Sequence, residues 1–315
     1  MRTRMGWMAA LAFLACAAAQ ARAAENVELG AVGAANAVVW PHYIAEKQGF
    51  YAAEGLAVHI FYSQTGAAML QALTSGSTKM GIAAGIADPM NAFAAGAGIA
   101  IVRIDGQSGP YAVIAKKGFK SIKDLKGHVV TVDEARGATM VYFNKMLEGN
   151  GMTRKDVDFS YAGSTAARFA ALEAGAVDAA ILTAPQLFTA EGRGFVNLGY
   201  AVDYAKDVPF TADLVNRAWV ATHEATARKF LDAYAKAIAW FDDPKNKDAA
   251  IELLHDVTKM DQPDIAKSYD FLHKIDFFDR SNHVDEAKIA TFYKAFRELD
   301  PSFTIDVKKL VMQLE

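Results

Sequence analysis

The amino-acid sequence predicts an α/β fold of two similar lobes followed by a helical C-terminal tail. Short apolar runs with the length of strands alternate with helix-like segments from residue 27 to about residue 200, an order typical of mainly parallel α/β sheets. From about residue 223 to the end, apolar residues recur at helical spacing instead. The segment 67–76 also resembles the segment 166–175, which lies 99 residues later, and this echo indicates that the α/β pattern occurs twice.

The individual elements are predicted from these patterns. Strands are predicted at residues 27–32, 56–62, 80–84, 99–104, 129–132, 157–161, 177–182 and 195–200, and helices of the tail at residues 225–241, 249–257, 263–273 and 284–299. Pro244 and Pro301 interrupt the tail because proline ends helices. In each copy of the echo we expect a helix, a C-terminal glycine and a buried strand. Alanine-rich helices can resemble one another by chance, but the shared Leu-x-x-Gly and the following strand favour two similar lobes.

The N-terminus has the features of a cleaved signal peptide. Two arginines precede an apolar stretch at residues 5–19, and Ala21 and Ala23 are small residues at the two positions that a signal peptidase reads. We predict that residues 1–23 are removed by cleavage after Ala23, with Ala21 as the second choice. The apolar stretch is short for a membrane span, so an uncleaved anchor is the less favoured alternative.

The predicted mature chain contains no cysteine and carries a net negative charge. The one cysteine, Cys16, lies in the signal peptide, and lipid attachment there is not favoured because Phe13 stands where a lipoprotein signal usually has leucine. Removal of the three signal-peptide arginines leaves 30 basic and 36 acidic side chains, a net charge of −6. Nucleic acid is therefore not an expected partner. With no cysteine and no cluster of histidines, we expect no metal site and no cofactor.

Polar residues and glycines follow the predicted strands at the points where helices begin. In parallel α/β sheets, ligands bind outside the carboxyl ends of the strands, where the first amides of each helix are unpaired. The candidate ligand-binding residues chosen on this basis are Asn36, Trp40, Thr65, Gly66, Asp88, Gln107, Arg136, Thr139, Ser164, Thr183 and Asn216.

Each of these candidates also has a structural interpretation. Arg136 lies just before a predicted helix and is the best candidate for holding a carboxylate, sulfonate or phosphate; the alternative is an ion pair with Asp133 or Glu134. Trp40 offers a flat apolar face for stacking, or it is a core residue beneath the first helix. Asn36 and the other polar residues at helix starts can be ordinary N-caps.

Four segments resemble solute-binding proteins for nitrate, sulfonates, taurine and thiamine pyrimidine precursors. Residues 40–56, WPHYIAEKQGFYAAEGL, are similar to the family pattern VAxxxGFFxxEGL. Residues 70–83 are similar to its ALxxGxxDxG, although Lys79 stands where the family often has aspartate. Residues 121–130, SIKDLKGHVV, resemble SIxDLKGKxV, and residues 171–180, ALEAGAVDAA, resemble ALxxGxVDAA.

The resemblance implies a type II periplasmic-binding-protein fold, with two lobes joined by a hinge that the chain crosses twice. On that basis, residues 24–108 and 208–315 are expected to form lobe I, and residues 109–207 lobe II. Residues near Trp40, Thr65, Asp88, Arg136 and Ser164 would line the cleft. The family's usual Gly-Ser/Thr at the second-lobe helix start is replaced here by Arg136-Gly137-Ala138-Thr139.

The resemblance also implies a function, namely the periplasmic solute-binding component of an ABC importer. Such a protein would bind a small molecule and the importer's membrane subunits, and we expect a monomer. Arg136 and the helix starts predict a small organic anion of the sulfonate or carboxylate class; a flat heterocycle such as a thiamine pyrimidine precursor stacked on Trp40 is the alternative. An enzyme resembling fungal thiamine-pyrimidine synthases is less favoured because those depend on a cysteine-rich motif, and a ligand sensor for a receptor kinase is a third possibility.

Overall fold

The computed structural model describes residues 24–34 and 36–314. The predicted signal peptide and Cys16 lie outside the described residues. The strands are β1 (Glu25–Val32), β2 (Leu56–Ser63), β3 (Met80–Gly85), β4 (Ile99–Gly106), β5 (Tyr111–Ala115), β6 (Val129–Val132), β7 (Asp158–Tyr161), β8 (Ala179–Thr183), β9 (Val196–Tyr200) and β10 (Thr211–Asn216).

Helices occupy the connections and the tail. They are α1 (Trp40–Lys47), α2 (Phe50–Ala53), α3 (Gly66–Thr74), α4 (Ala87–Ala94), α5 (Ala138–Gly149), α6 (Thr165–Glu173), α7 (Gln186–Gly192), α8 (Arg217–Asp242), α9 (Lys247–Thr258), α10 (Gln262–Lys274), α11 (Glu286–Leu299) and α12 (Val307–Leu310). Within the described residues, none of these helices combines the length and apolar character that a membrane span requires.

The strands form two sheets with the same topology. The first has the order β2-β1-β3-β10-β4 and the second the order β7-β6-β8-β5-β9. The chain crosses between the sheets after β4 and again after β9. In each sheet, three parallel strands are followed by one strand, β10 or β5, that runs antiparallel to both of its neighbours. The strands β5 and β10 were not predicted, so the sheets are mixed where a mainly parallel arrangement was expected.

The echo in the sequence corresponds to equivalent elements of the two sheets. Helices α3 and α6 begin 99 residues apart and end 99 residues apart, and the strands β3 and β8 that follow them begin at the same offset. Thr65 and Ser164 cap the two helices through their side chains. Gly76 and Gly175 then adopt positive φ angles of 77° and 73°, which glycine adopts without a steric penalty. The prediction that these segments are structurally similar is confirmed.

The tail packs around the first sheet and also reaches the second. Helix α8, which is kinked at His223, packs against α1 and α2, and Val311 forms a β-bridge to Ile101 of β4. On the other side, the ring of Phe271 in α10 lies 5.9 Å from that of Phe188 in α7. The tail therefore contributes to the core that packs against the first sheet and also contacts α7 beside the second sheet.

Candidate functional site

A cavity of about 290 Å³ lies between the two sheets, at the carboxyl ends of their parallel strands. Both sheets contribute to its wall, which includes the ends of β1 and β3 and the beginnings of α3, α4, α5 and α6. The cavity lies where the topology predicts a binding site, because the strand order reverses beside β1 in the first sheet and beside β6 in the second. Its volume is near the lower end of the usual range for ligand pockets, about 300–1,000 Å³.

The two walls of the cavity touch at several points. A Cβ added to Gly163 would lie 3.1 Å from Cγ2 of Thr65, and one added to Gly85 would lie 3.4 Å from Cβ of Ala138. The main-chain amide of Ala37 donates a hydrogen bond of 3.3 Å to the carbonyl oxygen of Ala184. The described conformation is therefore one in which the two sheets are in contact around the cavity.

The first sheet contributes Asp88, which lies in the first turn of α4 and lines the cavity. Its carboxylate lies against the start of α3, since a Cβ on Gly66 would meet Oδ2 at 2.0 Å. Burial raises the pKa of Asp88 well above its ordinary value, and the negative charges of Asp133 and Glu134 raise it further. Among the described residues, no hydrogen-bond donor is paired with this carboxylate.

The second sheet contributes two consecutive acidic residues that follow β6. The carboxylate of Asp133 accepts hydrogen bonds from the amide of Thr139 at 3.1 Å and from the amide of Glu134 at 2.7 Å. It also lies against Gly137, where a Cβ would meet Oδ1 at 2.2 Å. Burial and the charge of Asp133 raise the pKa of Glu134. The start of α5 is thus held by a carboxylate of the chain itself.

Arg168 and Tyr111 complete the polar lining. Arg168 is buried, and its guanidinium donates hydrogen bonds to the main-chain oxygens of Ile181, Ala162 and Gly163 and to Oγ1 of Thr165. Burial lowers its pKa. Tyr111 is only 4% exposed, and its hydroxyl has no hydrogen-bond partner in the described part of the chain.

Seven of the predicted site residues lie in or directly behind this wall. Asn36, Gly66, Asp88 and Ser164 line the cavity. Thr65 caps α3, Thr139 donates its hydroxyl to Asp133, and Thr183 contacts Asn36 and Thr165, so these three hold the lining residues in place.

Trp40 and Arg136 are placed away from the cavity, which corrects the sequence analysis. Trp40 is fully buried in the core, with its ring centroid 6.3 Å from that of Phe241, because α1 packs against α8. Arg136 points outward and forms an ion pair of 3.2 Å with Asp300 and a hydrogen bond of 2.7 Å to Asn91. Its partners are therefore Asp300 and Asn91 rather than Asp133 or Glu134.

Gln107 and Asn216 also lie outside the cavity. The side chain of Gln107 donates to the carbonyl oxygen of Asp276 and accepts from Lys288, so it connects the end of β4 to the tail. Asn216 caps α8 and donates to the carbonyl oxygen of Leu73. Because β10 runs antiparallel to β3, Asn216 at the end of β10 lies at the amino ends of β3 and β4, away from the cavity.

Four residues that line the cavity were not among the predicted site residues: Tyr111, Asp133, Glu134 and Arg168. Asp133 and Glu134 directly follow a strand, which is the position where ligand-binding residues are expected, yet they were considered only as partners of Arg136. Tyr111 begins a strand that was not predicted. Arg168 lies one turn into α6, and no local pattern marked it. Within the described residues, no group of three or more His, Cys, Asp or Glu side chains could hold a metal ion.

Comparisons with known proteins give a consistent family assignment. A family model described as NMT1/THI5 like matches residues 36–247. The periplasmic aliphatic sulphonate binding protein SsuA from Escherichia coli is 20% identical, covering 92% of this chain and 93% of that one at a TM-score of 0.71. The alkanesulfonate-binding protein SsuA from Xanthomonas axonopodis pv. citri, solved with MOPS, is 17% identical, covering 91% and 98% at a TM-score of 0.69.

A third solved structure is the periplasmic nitrate-binding protein NrtA from Synechocystis PCC 6803. It is 16% identical and covers 92% of each chain at a TM-score of 0.68. None of the curated proteins compared matches this chain. At these identities the solved structures establish a shared fold, and the predicted α/β periplasmic-binding-protein fold is confirmed.

Proposed function

The chain belongs to the NMT1/THI5-like family, and on that premise we propose that it is the extracytoplasmic solute-binding component of an ABC importer. The observation that carries the proposal is the cavity, which lies between two sheets of identical topology. In the described residues, the chain crosses from one sheet to the other only twice. The solved relatives named above are themselves substrate-binding proteins.

We divide the chain into two lobes that move relative to each other. Residues 24–108 and 208–315 form lobe I, around the first sheet, and residues 109–207 form lobe II, around the second. A ligand that contacts both walls stabilises the closed arrangement by its differential affinity for closed over open protein. The membrane subunits of the importer then recognise the closed surface. Export to the periplasm through a signal peptide at residues 1–23 is part of the proposal.

The residues that line the cavity differ from those on which the ligand prediction was based. The prediction of a sulfonate or carboxylate depended largely on Arg136, which lies outside the cavity, and the heterocycle alternative depended on Trp40, which is in the core. The solved relatives bind sulfonates or nitrate, as their names state. The lining residues favour a small polar molecule, because the cavity is small and most of its larger side chains are charged or hydroxylic.

Closure can be measured with a pair of labels. Gln71 and Ala170 are exposed and occupy equivalent positions of α3 and α6, and the predicted mature chain has no other cysteine. In the variant with both residues changed to cysteine and labelled with fluorophores, the small-molecule filtrate of yeast extract should shorten the distance between labels. It should also raise the melting temperature, because binding to the folded state stabilises it.

A pair of glycine variants links these effects to the cavity. Gly85→Phe places a ring between β3 and Ala138, so it should abolish both responses while the protein remains folded. Gly98→Phe is the matched control, because Gly98 is exposed and a Cβ there has no neighbour within 4 Å. An unchanged response of Gly85→Phe, or no response of the unmodified protein, would contradict the proposed function. Mass spectrometry of the released compound should recover it chemically unaltered, which distinguishes a receptor from an enzyme.

A further inference from the structure

The chain places its own carboxylates at the helix starts where an anion would otherwise bind. Amides at a helix N-terminus attract negative charge. At the start of α3 the carboxylate of Asp88 lies against Gly66, and at the start of α5 the carboxylate of Asp133 accepts the amide of Thr139. The two positions belong to different sheets and face the same cavity. An anionic ligand would therefore meet two carboxylates where the family pattern leads one to expect free amides.

The arginine at the cavity does little to compensate for these charges. Four hydrogen bonds of Arg168 go to three main-chain oxygens and to Thr165. No carboxylate lies within ion-pair distance of its guanidinium in the described residues. Against this one cation stand three carboxylates, those of Asp88, Asp133 and Glu134.

The polar groups left without partners are also mainly acceptors. Among the described residues, neither the Asp88 nor the Glu134 carboxylate receives a hydrogen bond. The hydroxyl of Tyr111, whose side chain is 4% exposed and lines the cavity, is likewise unpaired. Buried polar groups normally find hydrogen-bond partners, so the unpaired hydroxyl of Tyr111 indicates a ligand at this wall, and the two partly buried carboxylates can accept hydrogen bonds from donors of that ligand. Tyr111 is independent of the acidic residues, since it lies on β5.

We propose, as an extension of the receptor function above, that the cavity binds a small organic cation with N–H donors, such as a primary ammonium or an amidinium group. The cation lies between Asp88 of lobe I and the pair Asp133 and Glu134 of lobe II, and Tyr111 contacts it from the side. Without a cation, the carboxylates of the two lobes repel each other across the cavity. A bound cation removes that repulsion in the closed form, and this difference drives closure.

The experiment separates the filtrate of yeast extract by charge. The filtrate is passed over a cation exchanger and, in parallel, over an anion exchanger. Each eluate and each flow-through is then tested for a thermal shift of the protein and for a change in the distance between labels at Gln71→Cys and Ala170→Cys. We expect the active compound to be retained by the cation exchanger and to pass through the anion exchanger. Retention by the anion exchanger, or passage through both, would overturn the inference but leave the receptor function standing. A complete filtrate without activity would contradict the proposed function, and this inference would fall with it.

Variants of the cavity connect the charge of the ligand to particular residues. With the eluate of the cation exchanger as the probe, Asp88→Asn and Glu134→Gln should each weaken binding about tenfold or more, because a hydrogen bond to a charged group is lost. Both substitutions keep the shape of the side chain. Asp158→Asn is the matched control, because Asp158 is exposed on β7 and away from the cavity. If both cavity variants bind as tightly as the control, the cation is not held by these carboxylates and the proposal is wrong.

Discussion

One buried arginine lies in the first sheet and another lies on α6 beside the second sheet, and the two have different partners. In the first sheet, Nη1 of Arg103 lies 3.5 Å from Oδ2 of Asp213 and 3.9 Å from Oδ1 of Asp105, and all three side chains are fully buried. Beside the second sheet, Arg168 of α6 donates to main-chain oxygens, and the nearby cavity carboxylates have no guanidinium partner in the described residues. The first cluster is internally paired, whereas the charges of the second are incompletely balanced.

The paired cluster has a structural role that its other contacts explain. Asp105 on β4 accepts hydrogen bonds from Tyr234 and Thr211, and Asp213 on β10 accepts the amide of Ala83 at 3.1 Å. The guanidinium of Arg103 also donates to main-chain oxygens of the tail, at Asp279 and Ser281. The cluster therefore connects β4 and β10 to the tail. The comparison teaches that the buried charges of the first cluster are balanced by one another, whereas the partly buried carboxylates of Asp88 and Glu134 have no cation beside them among the described residues.

The largest expected effect comes from removal of the cation of the paired cluster. Arg103→Met keeps much of the apolar volume but leaves Asp105 and Asp213 buried without a counter-charge. Breaking a buried ion pair in this way costs about 3–5 kcal/mol, and we expect a loss of that size in the free energy of unfolding, measured with urea. The control is Arg193→Ala, which removes an ion pair to Glu173 on the surface and should cost no more than about 1 kcal/mol. Equal losses in both variants would show that the Arg103 cluster is not a special source of stability.

The second prediction concerns the pH dependence of the same cluster. Burial, and then the charge of Asp213, raise the pKa of Asp105 to about 7, while Arg103 acts in the opposite direction. Because the pKa is higher in the folded than in the unfolded protein, the stability that Asp105 contributes is complete below its ordinary value and is lost as the pH rises through about 7. The unfolding free energy of the unmodified protein minus that of Asp105→Asn should therefore fall as the pH rises over this range, by at most about 1.4 kcal/mol per pH unit.

Urea unfolding at several pH values between 4 and 8 would measure this difference. Asp158→Asn serves as the control, because its carboxylate is exposed and outside the cluster. A difference that is constant across the range, or that grows with pH, would mean that the carboxyl group of Asp105 stays ionised beside Arg103.

The contrast between the two clusters also explains what the sequence could and could not predict. The helix caps Thr65 and Ser164 and the echo around them are local patterns, and the structure has them where the patterns indicate. Arg168 and Asp88 owe their roles to residues that are distant in sequence, Ile181 and Gly66. Such partners become visible only when strands and helices are brought together.

The errors in the site prediction have similar causes. Arg136 has the sequence position of a ligand-binding residue, but its partners Asn91 and Asp300 are 45 and 164 residues away along the chain. Trp40 begins a helix that the tail covers, and the tail is the part of the chain for which the family resemblance gave only a helical pattern. The topology was therefore accessible from the sequence, whereas the direction in which a given side chain points was not.

A third and smaller effect tests whether the carboxylate at the start of α5 is fixed. A Cβ at Gly137 would lie 2.2 Å from Oδ1 of Asp133, so Gly137→Ala should displace this carboxylate from the amide of Thr139. Overpacking of this kind costs about 1–3 kcal/mol, measured as a loss in unfolding free energy. Gly98→Ala, where nothing lies within 4 Å of the new Cβ, should change it by less than about 0.5 kcal/mol. If the two variants are equally stable, Asp133 is free to move and the start of α5 can accept another anion.

The smallest expected effect concerns the contacts that Arg136 makes with Asn91 and Asp300. Arg136 follows β6 of the second sheet, whereas Asn91 lies on α4 beside the first sheet and Asp300 lies in the tail. Its ion pair and hydrogen bonds therefore connect the part of the chain around the second sheet to α4 and the tail. An exposed ion pair contributes about 0.2–1 kcal/mol. Arg136→Ala should therefore shift the equilibrium between closed and open protein by up to about fivefold towards the open form.

The distance between labels at Gln71→Cys and Ala170→Cys, measured without ligand, reports this shift directly. Arg193→Ala is the matched control, since Arg193 and its partner Glu173 both belong to lobe II and their ion pair does not cross the cavity. Ligand affinity should fall by the same factor as the closed population, because only the closed form buries the ligand. If Arg136→Ala and Arg193→Ala change the distance equally, the contacts of Arg136 do not contribute to closure. A loss of affinity much greater than the shift in distance would instead return Arg136 to a direct role in binding.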